Sequence, residues 1–300
     1  MQVPVRRLGL SALLLLALSA IWGHVSAEAP PNPWAKVKAP SSEQPRSVGE
    51  YSTGCLRGGQ PLPLEGDGFV VMHPSRNRMF GHPDLLQFIQ TLGKGANIAG
   101  LQPVLVGDLS QPRGGPAPGG HSSHQTGLDV DLWFWHPGGR ISAAQRESLK
   151  SRSILDGKAG TIQKAEAKRV SELLRLTASD PRVTRVFVHP IIKRQLCAEA
   201  GKDRDWLKKL RPWYGHDDHM HVRLACPADS KDCVAQHEVS AGDGCAELDW
   251  WFSPEAQEDR AKGQKTYQSK VGKAPRMPEQ CTELVREASQ PLAAATREKP

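Results

Sequence analysis

After residue 27 the sequence has no apolar run long enough to span a bilayer, which excludes a multi-span membrane protein. It has six cysteines but no Cys-x-x-Cys, which argues against a thiolate zinc knuckle and a thioredoxin-like redox site. No Ser-x-x-Lys is followed by Lys-Thr-Gly, so the serine acyl-enzyme chemistry tied to that pair has no motif here. There is no internal repeat and no regular strand–helix–strand period. The basic surplus is small. Lys and Arg number 39 against 32 Asp and Glu, and the resulting +7 fits an anionic partner without demanding nucleic acid. What the chain does have is 28 Gly and 24 Pro, more than an all-α bundle would use. With 38% hydrophobic and 24% charged residues in a chain of 300, it has enough apolar side chains for a sizeable core.

Residues 1–27 read as a secretory leader. Arg6 and Arg7 form the positive start, Leu8 to Ile21 the apolar stretch, and Val25-Ser26-Ala27 a small-residue cleavage site. An uncleaved membrane anchor is the alternative, but the stretch is short for one. No Cys stands just after it, so lipoprotein processing is not suggested. Cleavage would leave a charge of +5. All six cysteines (Cys55, Cys197, Cys226, Cys233, Cys245, Cys281) lie beyond the leader. An even number in an exported chain reads as disulfides. Cys226 and Cys233 are close enough to close a small loop; spacing does not pair the other four. Export also weighs against nucleic acid as the partner of the basic charge.

Residues 28–50, rich in Pro, Ser and Ala, read as a flexible N-terminal arm. The domain is expected over 51–285, with a disordered tail over 286–300. Short strands are expected at 68–73, 103–107, 128–135, 183–189 and 220–225. Helices are expected at 83–92, 142–152, 162–178 and 190–200. Residues 111–121 form a Gly/Pro loop. Strands mixed with helices in this way predict a single α+β domain, with a mainly antiparallel central sheet flanked by helices and long loops.

Five of the eleven histidines fall in two short clusters. In the first, His121 and His124 precede a strand on which Asp129 and Asp131 share a face. Two carboxylates on one face of an otherwise apolar strand are costly to bury without a cation. The alternative is that they face water. In the second, His216 precedes His219-x-His221, two imidazoles on one side of a strand. Two His and one Asp are a suitable set for a catalytic zinc, with the fourth position left to water.

These residues carry a resemblance. His124-x6-Asp131 within Ser-x-x-Gly-x-Asp-x-Asp, followed by His219-x-His221, resembles the superfamily of lysostaphin-type peptidases, D-Ala-D-Ala metallopeptidases and the Hedgehog domain. The segments 75–83, 107–115, 121–131 and 213–224 are similar to the penicillin-insensitive murein endopeptidase family, and the likeness covers about 50–285. The resemblance implies a Hedgehog/D-Ala-D-Ala-peptidase-like fold and a periplasmic zinc endopeptidase that cuts D-alanyl–meso-diaminopimelyl cross-links of peptidoglycan. It implies disulfides Cys55–Cys281, Cys197–Cys245 and Cys226–Cys233. It makes His124, Asp131 and His221 zinc ligands, with His121 a fourth ligand or a near neighbour. It gives His219 the role of catalytic histidine, with His216 a second site histidine.

In the mechanism these residues suggest, His219 takes a proton from a zinc-bound water, and His216 or another donor helps stabilise the oxyanion. Arg76, Arg78 and Arg113, in Gly/Pro/Asn-rich segments, are candidates to bind the carboxylates of stem peptides. The alternatives are a zinc D,D-carboxypeptidase or dipeptidase, and a non-catalytic zinc-containing cell-wall binding module. With no Ser-x-x-Lys motif, β-lactams should not acylate the chain.

Overall fold

The structure, a computed structural model, describes residues 32–118, 122–270 and 276–288. The expected leader, His121 and residues 289–300 of the expected tail lie outside them.

At the centre is a seven-stranded sheet. Its strands are β1 (Glu65–Gly66), β2 (Phe69–Val71), β3 (Val104–Val106), β4 (Asp129–Trp133), β5 (Val183–Val188), β6 (Leu210–Pro212) and β7 (His219–Leu224). They lie side by side in the order β6-β5-β7-β4-β3-β2-β1. Four of the six pairings are antiparallel, as the sequence predicts. The two parallel pairings, β2 with β3 and β5 with β6, are each made by a crossover through a helix.

The helices among the described residues are α1 (Pro83–Ile98), α2 (Ala143–Ser148), α3 (Ala167–Ser179), α4 (Pro190–Glu199), α5 (Pro254–Lys270) and α6 (Glu279–Ala288). In α1, Pro83 opens the helix and the His82 ring accepts from the Asp84 N–H. Its face of Leu85, Leu86, Ile89, Leu92 and Ala96 is buried. This face packs with Val170, Leu173 and Leu174 of α3 and with Val130, Leu132, Met220 and Val222 of the sheet. Each fully buried aliphatic side chain contributes about 1.5–3 kcal/mol. One face of the sheet is thereby committed to the core. The residues between, Asp129, Asp131, His219, His221 and Arg223, are turned to the other face.

Several boundaries differ from the sequence reading. Helix α1 runs on to Ile98 because buried Gly93 and Ala96 continue its inner face. Helix α2 starts at a capping box, Ser142 with Gln145, and stops at Ser148 as the backbone turns extended at Leu149. Helix α3 begins only at Ala167, because Thr161–Ile162 pairs with Leu155–Asp156 in a small hairpin. The arm read over 28–50 is folded at its end. Arg46–Glu50 forms an antiparallel hairpin with Thr53–Arg57, where Val48 and Cys55 are buried against Trp34 and Leu284. Residues 286–288, read as tail, belong to α6, whose inner side is fixed by Cys281 and Leu284.

Three disulfides close the structure: Cys55–Cys281, Cys197–Cys245 and Cys226–Cys233. They are the pairs the resemblance implies. Among the described residues no helix is long and apolar enough to cross a membrane.

Candidate active site

Strands β4 and β7 pair so that Asp129 faces Arg223, Asp131 faces His221 and Trp133 faces His219. Directly paired side chains on one face lie within about 5.5 Å of each other at Cβ. A period of two on each strand, combined with this register, thus assembles carboxylates and imidazoles in a row. His124 is supplied by the loop before β4. It adopts a left-handed backbone at φ 65°, uncommon for a side chain other than glycine. Gly127 follows at φ 72°, and a Cβ there would come within 2.7 Å of the Leu56 side chain. The loop can therefore bend tightly enough to bring His124 back over Asp131.

His124, Asp131 and His221 are all buried, and one ligand atom from each lies within 4.8 Å of the others. The His124 Nε2–Asp131 Oδ1 separation is 3.3 Å, and His221 Nδ1–Asp131 Oδ1 is 3.2 Å. A tetrahedral ion with ligand bonds of roughly 2.0–2.1 Å has ligand edges of about 3.3–3.4 Å, so the donor set fits one small cation. Charge agrees. Two buried carboxylates, Asp129 and Asp131, face one buried guanidinium, Arg223, so the permanently charged side chains there leave a negative excess that a cation would offset.

The other ring nitrogen of His221 is held from behind. Nε2 donates to Asp129 Oδ1 at 2.8 Å, which also accepts from Arg223 Nε at 2.7 Å. This fixes the tautomer and leaves Nδ1 as the donor atom toward the site. Burial opposes ionisation of Asp129, but Arg223 and His221 outweigh it and hold the carboxyl below the usual range. Asp131 is buried too, and His124 and His219 hold it well below that range. For His221, burial disfavours the charged ring, yet Asp129 and Asp131 raise it to about 9.

His219 sits one pair further along β7. Its Nδ1 donates to Asp218 Oδ1 at 2.5 Å, and its Nε2 lies 3.7 Å from Asp131 Oδ1. Asp218 in turn accepts from the Ser151 hydroxyl. Burial works against a charged His219, but Asp131 and Asp218 prevail and raise its pKa. His216 lies 5.0 Å from His219, centroid to centroid, and burial lowers its pKa to about 4. Its Nδ1 approaches the Tyr214 carbonyl at 3.3 Å. A carbonyl only accepts, so the proton of the neutral ring is on Nδ1 and Nε2 is left as an acceptor.

Beside the cluster is an open cleft of about 660 Å³, lined in part by His73, Arg76, Trp133, Lys150, Ser151 and His219. The three arginines separate here. Arg76 lines the cleft, half exposed, and reaches Asp108 at 3.4 Å. Arg78 is mostly buried and is occupied by Asp108 at 2.9 Å and the Pro118 carbonyl. Arg113 does not line the cleft. It donates to the Leu284 carbonyl at 2.8 Å and so fastens α6. Asp218, Ser151, Arg223 and Lys150 were missed as site residues in the sequence. Only Asp218 carried a signal there, as the acidic neighbour of His219.

Such an arrangement can hold one cation beside an open cleft and keeps a carboxylate-anchored imidazole next to it, as a metallopeptidase requires. Comparison with known proteins narrows the class. The family model described as penicillin-insensitive murein endopeptidase matches residues 47–286. A protein of that name from Yersinia enterocolitica is 47% identical over 245 residues, covering 80% of this chain and 86% of its own. Namesakes from Klebsiella pneumoniae and Salmonella arizonae are 44% and 46% identical over 247 residues, 81% of this chain and 88% of theirs. The chain belongs to the penicillin-insensitive murein endopeptidase family.

Proposed function

We propose that the chain is an exported zinc endopeptidase of the periplasm that hydrolyses the D-alanyl–meso-diaminopimelyl cross-links of murein. The observation that carries this reading is the His124–Asp131–His221 triangle, with edges of 3.2 and 3.3 Å at Asp131, next to the Asp218-anchored His219. His124 Nε2, an Asp131 oxygen and His221 Nδ1 would hold the zinc. Bound there, zinc supplies a Lewis acid for the scissile carbonyl and an acidified water.

The chain's own residues do the rest. Asp218 fixes the His219 proton on Nδ1, so Nε2 is free to accept a proton from the attacking water. The ring then returns that proton to the leaving amine as the peptide bond breaks. The Ser151 hydroxyl holds Asp218 in place. Arg76 and Lys150 line the cleft and offer positive charge to the free carboxylates of stem peptides. Arg78 pairs with the same Asp108 carboxylate that Arg76 reaches.

The test is to incubate the purified protein with cross-linked muropeptide dimers and weigh the products. Monomers should appear, chelator should stop them, added zinc should restore them, and benzylpenicillin should have no effect. Release of free D-alanine without monomers would make it a carboxypeptidase. Binding of murein without cleavage would make it a binding module.

A further inference from the structure

Six large apolar side chains are exposed among the described residues, and three of them are rings in two neighbouring segments: Trp213 (56%), Trp250 (47%) and Phe252 (37%). Trp251 joins two of them, at 6.5 Å from Trp213 and 5.2 Å from Trp250 between ring centroids, and Phe252 is the next residue along the same segment. Tyr214 locks the two segments together, since its hydroxyl donates to the Trp251 carbonyl and its ring packs 5.6 Å from that of Trp251. The result is a braced aromatic ledge. Isolated exposed apolar residues are normal; a contiguous exposed cluster marks a binding surface.

Its position says what it meets. Trp213 is 6.2 Å from Phe187, and Phe187 is 5.4 Å from His221. Two ring-to-ring steps therefore separate the ledge from the metal-site triangle. In murein the cross-linked peptides hang from a polymer of amino sugars, with the scissile bond three or four residues from the sugar. Three extended residues span roughly 10 Å. A stem peptide of three or four residues with its cross-link at the site can thus bring its sugar to Trp213, the near edge of the ledge, and the glycan strand that continues from that sugar can run on toward Trp250. Pyranose rings present flat C–H faces edged by hydroxyls, and indole rings offer flat apolar surface with a polar edge to match. Arg194 lies 4.1 Å over Phe252 and Arg260 lies 4.6 Å over Tyr214, placing donors for sugar hydroxyls at the border.

We propose that Trp213, Trp250 and Phe252 form a subsite for the glycan strand, so that the enzyme reads the sugar as well as the peptide. The inference rests on the murein reading above, and it deepens that reading by adding a second recognition element. Peptide-free glycan strands titrated into the purified protein should quench tryptophan fluorescence and bind. Trp250→Ala should weaken that binding about tenfold, one stacked ring's worth, while Trp250→Tyr, which keeps a flat ring, should retain most of it. In the same way, the ratio of turnover on disaccharide-bearing dimers to turnover on sugar-free dimers should fall in Trp250→Ala. Strands that do not bind the wild type, or that bind Trp250→Ala equally well, would overturn the proposal. So would an equal loss on both dimers, which would make the ring a support of the cleft, or self-association of the protein lost in Trp250→Ala without any glycan binding. If neither dimer is cleaved by the wild type, the peptidase reading fails, and the glycan titration still decides the ledge.

Discussion

Asp129 grips Arg223 and His221 through a single carboxylate oxygen, at 2.7 and 2.8 Å, with Asp129 itself wholly buried. One residue therefore both neutralises a buried guanidinium and sets the tautomer of a candidate ligand. Asp129→Asn should lower metal affinity about 10–100-fold, as loss of a partner behind a ligating histidine does. It also leaves Arg223 buried without its anion, which costs about 3–5 kcal/mol. Metal content after dialysis at defined free zinc, together with a denaturation curve, checks both effects.

The paired histidines of β7 should separate by role. His221→Ala should lose metal and activity together. His219→Ala should keep near-normal metal while activity falls by roughly 10²–10⁴-fold. The opposite pattern in metal analysis would exchange the assignments.

The arginines should separate by location. Arg76→Ala should raise KM on muropeptide dimers, with metal content and Tm unchanged, because the side chain is half exposed at the cleft. Arg113→Ala should lower Tm and leave turnover per folded molecule intact, because it releases the Leu284 carbonyl of α6. Thermal melts and steady-state kinetics on both variants distinguish these outcomes.

Lys193 offers a test far from the chemistry. It is fully buried, and its ammonium donates to the carbonyls of Leu207, Leu210 and Asp243 at 2.8–3.0 Å. Lys193→Met leaves those acceptors without the donor and should cost about 1–3 kcal/mol. Burial lowers the Lys193 pKa to about 8, against 10.5 in the open chain. Between these values the unfolded chain binds the extra proton, so raising the pH through this window favours the folded wild type. Lys193→Met lacks that gain. The Tm advantage of the wild type over Lys193→Met should therefore widen from pH 7.5 to 9.5.

Much of the site was legible because strands alternate. Asp129 and Asp131 share a face, and so do His219 and His221, whatever the rest of the chain does. The buried faces of α1 and α3 followed from helical spacing in the same way. The end of the arm was not legible. Arg46–Glu50 has few apolar residues of its own, and its burial is supplied by Trp34, Cys281 and Leu284 from distant parts of the sequence. Nor could two short parallel pairings be seen in a chain without a regular strand–helix period.

Local order, then, belongs to the sequence: which residues share a face, where Gly127 lets the loop bend, and which histidines cluster. The tertiary structure decided what those faces meet. The register of β4 against β7 put Asp131 opposite His221, and Asp129 opposite Arg223. It separated Arg76, at the cleft, from Arg113, bound to α6, although both stood in similar Gly/Pro-rich segments. It brought Ser151 to Asp218 across 67 residues. The physical reason is that periodicity is a property of backbone geometry within one element, whereas register and ion pairing depend on how separate elements bury their apolar faces together.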